Sequence, residues 1–150
     1  MEFPSLGLLR SDQITLVVGI EMSAKIKHSE QALICVVDDD FLMRESTTRL
    51  LRSFGLNVKA LETAEEFLNS DYLAKTVCLI LDLRLPGMSG LELQRQLLAQ
   101  NRRMPIIFVT AHGNEAQRTQ ALAAGAIAFL YKPFNEHDLL NAINSTLENS

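Results

Sequence analysis

Five short apolar runs, each followed by a segment of helical periodicity, constrain this chain more than any other feature. They are Leu33 to Val37, about Asn57 to Leu61, Val77 to Leu81, Pro105 to Thr110 and Ile127 to Tyr131. Runs of this length, rich in branched apolar residues, mark strands buried on both faces. Alternation of such strands with helices calls for right-handed crossovers and a parallel sheet covered on both sides. Five units fit an α/β doubly wound sheet better than a closed barrel.

The intervening segments carry helix start and stop signals. The first helix sets Met43, Leu50, Leu51 and Phe54 on one face and stops at Gly55. Thr63-Ala64-Glu65-Glu66 reads as a capping box, opening a helix to about Leu73. Ser89-Gly90-Leu91-Glu92 is a second box, with Leu91, Leu97 and Leu98 as the buried side. The fourth helix, Asn114 to Ala124, is closed by Gly125, and between Glu115 and Ala124 its single large apolar residue is Leu122. It is predicted either to be weakly anchored or to pack closely through Ala121, Ala123 and Ala124. Asn135 caps the last helix, where Leu139, Leu140, Ile143 and Leu147 recur at helical spacing.

A chain of 150 residues with 47% hydrophobic content can bury one real core, and the domain is placed at residues 32–150. A formal net charge of -4 argues against broad capture of nucleic acid or an anionic membrane. Cys35 and Cys78 sit inside apolar runs and read as small core hydrophobes. With no signal-peptide pattern and no metal-type cysteine spacing, a reducing cytoplasm is the expected compartment. Residues 1–31 pattern differently, since Pro4, Gly7 and Gly19 interrupt them and Ile14 to Ile20 is too short to cross a bilayer. They read as a tail, disordered or partly non-native, with Met22 a candidate physiological start. An added strand from Ile14 to Val18 is the competing assignment.

In a doubly wound sheet the ligand site lies beyond the carboxyl ends of the strands. Strand one ends in Asp38 and Asp39, strand three in Asp82, strand four in Thr110, and strand five leads into Lys132. Each alone has a plainer explanation: a capping Asp, a strand Thr, a solvated loop Lys. Their shared edge is the informative observation. Carboxylates gathered closely repel unless a cation sits between them. Oxygen-only ligands with no His or Cys nearby favour Mg²⁺, and Mn²⁺ is an acceptable substitute. Asp82 can then serve as a carboxylate nucleophile toward a phosphoryl group, with Lys132 and the Thr110 hydroxyl on the phosphoryl oxygens.

These residues resemble the receiver domains of two-component response regulators, in particular those of nitrogen-fixation-type regulators. The motifs are Val37-Asp38-Asp39, then Asp82-Leu-Arg-Leu-Pro-Gly-Met-Ser-Gly90, Val109-Thr110-Ala111 and Lys132-Pro133-Phe134. The resemblance covers about Ala32 to Leu147 and implies a flavodoxin-like (βα)5 fold of strand order 2-1-3-4-5. It implies Asp82 as phosphoacceptor, fed by a sensor histidine kinase or phosphotransfer protein. Asp39, Asp82 and the Arg84 backbone carbonyl are implied as direct metal ligands, with Asp38 acting through water. Thr110 and Lys132 match the phosphoryl-sensing pair, a cis Lys132-Pro133 bond is expected, and Phe129 falls at the switch aromatic. Phosphorylation is expected to draw Thr110 inward and open space for Phe129 to rotate, moving the fourth helix with it. Phe in place of the more frequent Tyr puts any phenol-dependent output in doubt. His112 reads as a solvated loop residue or a modulator of water access.

The implied role is a phosphorylation-driven, protein-binding signalling module, not a turnover enzyme. An aspartate-nucleophile phosphatase similar to haloacid dehalogenases needs a second Asp two residues after Asp82, where Arg84 stands. A phosphorylation-independent interaction module is the other rival. The loops also look like receivers that precede a helix-turn-helix domain, so the chain is either free-standing or a fragment of a longer DNA-binding regulator. A phosphorylation-dependent homodimer through the fourth helix, fifth strand and fifth helix is a family expectation, and the downstream target is unknown.

Overall fold

The computed structural model describes residues 32–148. The tail at 1–31, the candidate start Met22 and the added strand from Ile14 lie outside the described residues. Five βα units follow in order: β1 (Leu33–Val37), α1 (Phe41–Ser53), β2 (Asn57–Leu61), α2 (Ala64–Leu68), β3 (Thr76–Leu81), α3 (Gly90–Ala99), β4 (Ile106–Thr110), α4 (Glu115–Ala123), β5 (Ala128–Tyr131) and α5 (Glu136–Glu148). The strands form one parallel sheet of order β2-β1-β3-β4-β5. Among the described residues no helix is long and apolar enough to cross a membrane.

Because strand side chains alternate, each face of the sheet has its own core. Ile34, Val36, Val58, Cys78, Ile80, Ile107 and Val109 pack beneath α1 and α5, which contribute Leu51, Leu139, Leu140 and Ile143. Leu33, Cys35, Val37, Leu79, Leu81 and Phe108 pack beneath α2, α3 and α4 with Phe67, Leu93, Leu97 and Ala121. Both cysteines are core residues: the Cys35 Sγ lies 3.1 Å from the Thr76 hydroxyl, and burial pushes the Cys78 thiol up to about 12.

Several helix faces differ from the sequence expectation. On α1 the buried residues are Arg44, Thr47, Thr48 and Leu51, while Met43 is half-buried. The buried stripe keeps i, i+3, i+4, i+7 spacing but is mostly polar, which apolar periodicity does not register. The second helix ends at Leu68, not near Leu73, with the Asn69 N–H returning to the Glu65 carbonyl and the Ser70 hydroxyl donating to the Phe67 carbonyl just past its end. Thr63 caps the Glu66 N–H as expected, but the Glu66 carboxylate accepts from Glu62 N, so the box is half made. On α3 the buried side is Leu93, Gln94 and Leu97, and Leu98 is exposed. The Ser89–Glu92 capping box is complete, and Gly55 and Gly125 take the positive φ that a helix stop requires. On α4 only Ala121 is buried, with Leu122 half-buried and Ala123 exposed.

Candidate functional site

Register brings the strand ends together. Val37 pairs with Leu81, and Leu81 with Phe108, so the residues that follow β1 and β3, Asp38 and Asp82, are neighbours at the carboxyl edge. The Asp82 N–H donates to the Val37 carbonyl at 2.9 Å and the Asp38 N–H to the Leu61 carbonyl at 3.1 Å, fixing both backbones. One carboxylate oxygen from each of Asp38, Asp39 and Asp82 lies within 4.8 Å of the others. Asp38 and Asp82 are buried and Asp39 is exposed.

Lys132 is the cation of this cluster. It follows β5, its own N–H donates to the Thr110 carbonyl at 2.9 Å, and its Nζ reaches Asp38 Oδ2 at 2.7 Å and Asp82 Oδ2 at 3.1 Å. The Lys132-Pro133 bond is cis, as the resemblance implied. Burial works against the Lys132 ammonium, but the hydrogen bond and charge of Asp38, with those of Asp82, outweigh it and hold its pKa above the ordinary lysine value. Burial likewise raises the Asp38 carboxyl, helped by the charge of Asp82 and opposed by Lys132 and the Asp40 N–H. Three acids against one lysine leave two negative charges unmatched. A divalent cation would supply that charge, and an oxygen-only set this close, open to solvent at Asp39, fits Mg²⁺.

Thr110 is fully buried, and its hydroxyl accepts the His112 N–H at 3.2 Å. His112 itself is exposed. Arg84 is exposed too, and its N–H donates to Asp82 Oδ1 at 3.2 Å, so both carboxylate oxygens of Asp82 are engaged. A cleft of about 430 Å³ opens beside Asp39 and Arg84, and Gln117 of α4 also lines it. Phe129 is already buried, with its ring centroid 5.8 Å from that of Phe108 and 5.4 Å from that of the exposed Tyr131.

Three supporting residues escaped the sequence reading. Arg44 donates to the Asp38 carbonyl at 2.7 Å, seating a guanidinium beneath the acids; a polar residue in step with Leu51 on α1 was its signal. Asp40 caps α1 by accepting from Leu42 and Met43, so the third acid of the run is structural. Gly113 lies where a Cβ would stand 2.8 Å from the Phe129 ring and 3.0 Å from the Thr110 methyl. Only a residue without a side chain lets that turn close over the ring.

A family model described as the response regulator receiver domain matches residues 34–144. Nodulation protein W of Bradyrhizobium diazoefficiens is 46% identical over 120 residues, which are 80% of this chain and 53% of that protein. The solved response regulator StyR is 46% identical with a TM-score of 0.71, covering 79% of this chain and 60% of its own. The FixJ-N crystal structure is 34% identical with a TM-score of 0.70, covering 79% and 95%. The chain spans about half the length of the curated relatives it matches.

Proposed function

The chain belongs to the response regulator receiver family, and from that premise we propose that it accepts a phosphoryl group on Asp82 in a Mg²⁺-dependent reaction. Receiver domains of response regulators are phosphorylated by sensor kinases, and a sensor histidine kinase or phosphotransfer protein is the proposed donor. The observation that carries the proposal is the single lysine shared between Asp38 and Asp82 at the end of the sheet. That arrangement leaves Asp82 with a cation ready to pass from carboxylate to phosphate.

Asp39, Asp82 and the Arg84 carbonyl would hold a divalent ion directly and Asp38 through water, and that ion would supply positive charge against the phosphoryl oxygens and relieve repulsion among the acids. An Asp82 carboxylate oxygen attacks phosphorus as the bond to the donor nitrogen breaks, and with the other ring nitrogen of the donor protonated the leaving group departs as neutral imidazole. Lys132 releases Asp82 and pairs with a phosphoryl oxygen. The Thr110 hydroxyl, whose lone pair already serves the His112 N–H, keeps its proton free to donate to another. The pull on Thr110 acts on the turn that covers Phe129, so the ring and α4 are the proposed route to a changed protein-binding surface.

Acetyl phosphate with Mg²⁺ labels the wild type and leaves Asp82→Asn unlabelled; an unlabelled wild type overturns the proposal. Arg84, standing where a second catalytic Asp is needed, disfavours the phosphatase reading. Control of transcription is the proposed output, supported by relatives titled transcriptional regulatory proteins. A DNA-binding segment encoded beyond Ser150 is its test. A phosphorylation-dependent dimer is proposed on the exposed Ile127 and Tyr131 beside α4, and unchanged sedimentation on phosphorylation contradicts it. The proposed compartment is the cytoplasm.

A further inference from the structure

The loop from Arg84 to Met88 leads away from Asp82 and is held at both ends. At its start, Arg84 N–H donates to Asp82 Oδ1, and Gly90 N–H donates back to the Leu83 carbonyl at 2.9 Å. At its far end the partner comes from another βα unit: Glu65 of α2 accepts the Met88 N–H at 2.6 Å. That is a short, charge-assisted bond. The same carboxylate fills the space above Gly87, where a Cβ would lie 2.8 Å from Glu65 Oε1 and 3.2 Å from Oε2. Gly87 also has φ +73°, so the tight bend and the approach of Glu65 depend on one residue without a side chain.

We propose that Glu65 is a positioning residue for the phosphoacceptor loop: it clamps Met88 so that the Arg84 carbonyl is held beside the acid cluster. Glu65 does not touch the reacting atoms. It acts through the loop, and it ties α2, otherwise a short helix remote from the chemistry, to the metal-binding edge. This role rests on the reading of Asp82 as a Mg²⁺-dependent phosphoacceptor.

Magnesium titration by calorimetry, with amide hydrogen exchange at Met88 in the metal-free protein, tests it on the full chain. Losing one hydrogen bond to a charged group, part of which reaches the metal site, weakens Mg²⁺ binding about three- to tenfold in Glu65→Ala. Met88 exchange quickens by about tenfold or more in the same variant. Glu65→Gln keeps an acceptor oxygen but not the charge, so both readouts fall between wild type and Glu65→Ala. A Gln variant as weak as Ala overturns the proposal in favour of a charge effect. An unchanged affinity in Glu65→Ala, with only a lower melting midpoint, overturns it in favour of a role in α2 alone. Gly87→Ala should cost less Mg²⁺ affinity in the Glu65→Ala background than in wild type, since backbone strain cancels in the cycle; equal costs contradict the contact. Wild type that binds no Mg²⁺ removes the functional reading and this role together, whereas failure of the Glu65 variants alone leaves the functional reading standing.

Discussion

The two helices on either side of β5 are built on opposite terms. Helix α5 drives Leu139, Leu140 and Ile143 fully into the core, whereas α4 buries Ala121 and no larger apolar side chain completely. A further tie is polar, since the buried Gln94 of α3 donates Nε2 to the Ala121 carbonyl at 3.0 Å. Yet α4 is the helix that follows Thr110, borders the cleft beside Asp39 and lies next to the turn over Phe129. The contrast teaches that apolar area is concentrated where the sheet is held and is sparse on α4, the helix that the proposed function makes the route out of the Asp82 site.

Truncation measures that contrast most strongly. Leu140→Ala should lower stability by about 3 kcal/mol, as for other buried leucines, and Leu122→Ala on α4 by about 1 kcal/mol or less. Urea denaturation gives both values, and equal losses would break the comparison. Gln94→Ala should cost about 1 kcal/mol, because the Ala121 carbonyl also accepts the Ala126 N–H at 3.0 Å. Its sharper signature is faster amide exchange confined to α4, with α5 unchanged. The smallest effect is electrostatic. Asp38 has a folded-state pKa raised by burial, so between that value and its ordinary one the folded chain binds more protons than the unfolded chain. Its contribution to metal-free stability is fully present below the ordinary carboxyl pKa and fades as pH rises through the raised value. Asp38→Asn should flatten that acid-side slope in denaturation curves taken across pH, and an unaltered slope would place the titration elsewhere.

The fold was legible because both strand and stop signals were strong. Five continuous apolar runs and the glycines at 55 and 125 set the order of elements, and the residue-by-residue likeness to receivers supplied the strand order. Asp38, Asp82, Thr110 and Lys132 were found together since each directly ends or follows a strand, a position that chain order alone reveals. Arg44, Glu65 and Gly113 were missed for a common reason. Their roles are contacts with particular backbone groups and rings, six residues away for Arg44 and 23 for Glu65, which apolar periodicity does not encode. The buried side of α1 was misjudged because Thr47 and Thr48 fill core positions with polar residues, and Leu98 because a helix turns about 100° per residue and carries it past the buried stripe.

Mapping the phosphorylated residue tests the account most directly. After incubation with acetyl phosphate and Mg²⁺, mass spectrometry should place one phosphoryl group on Asp82, with labelling strongly reduced by chelation of the metal. A phosphoryl group on another side chain, or labelling of Asp82 indifferent to Mg²⁺, would contradict it.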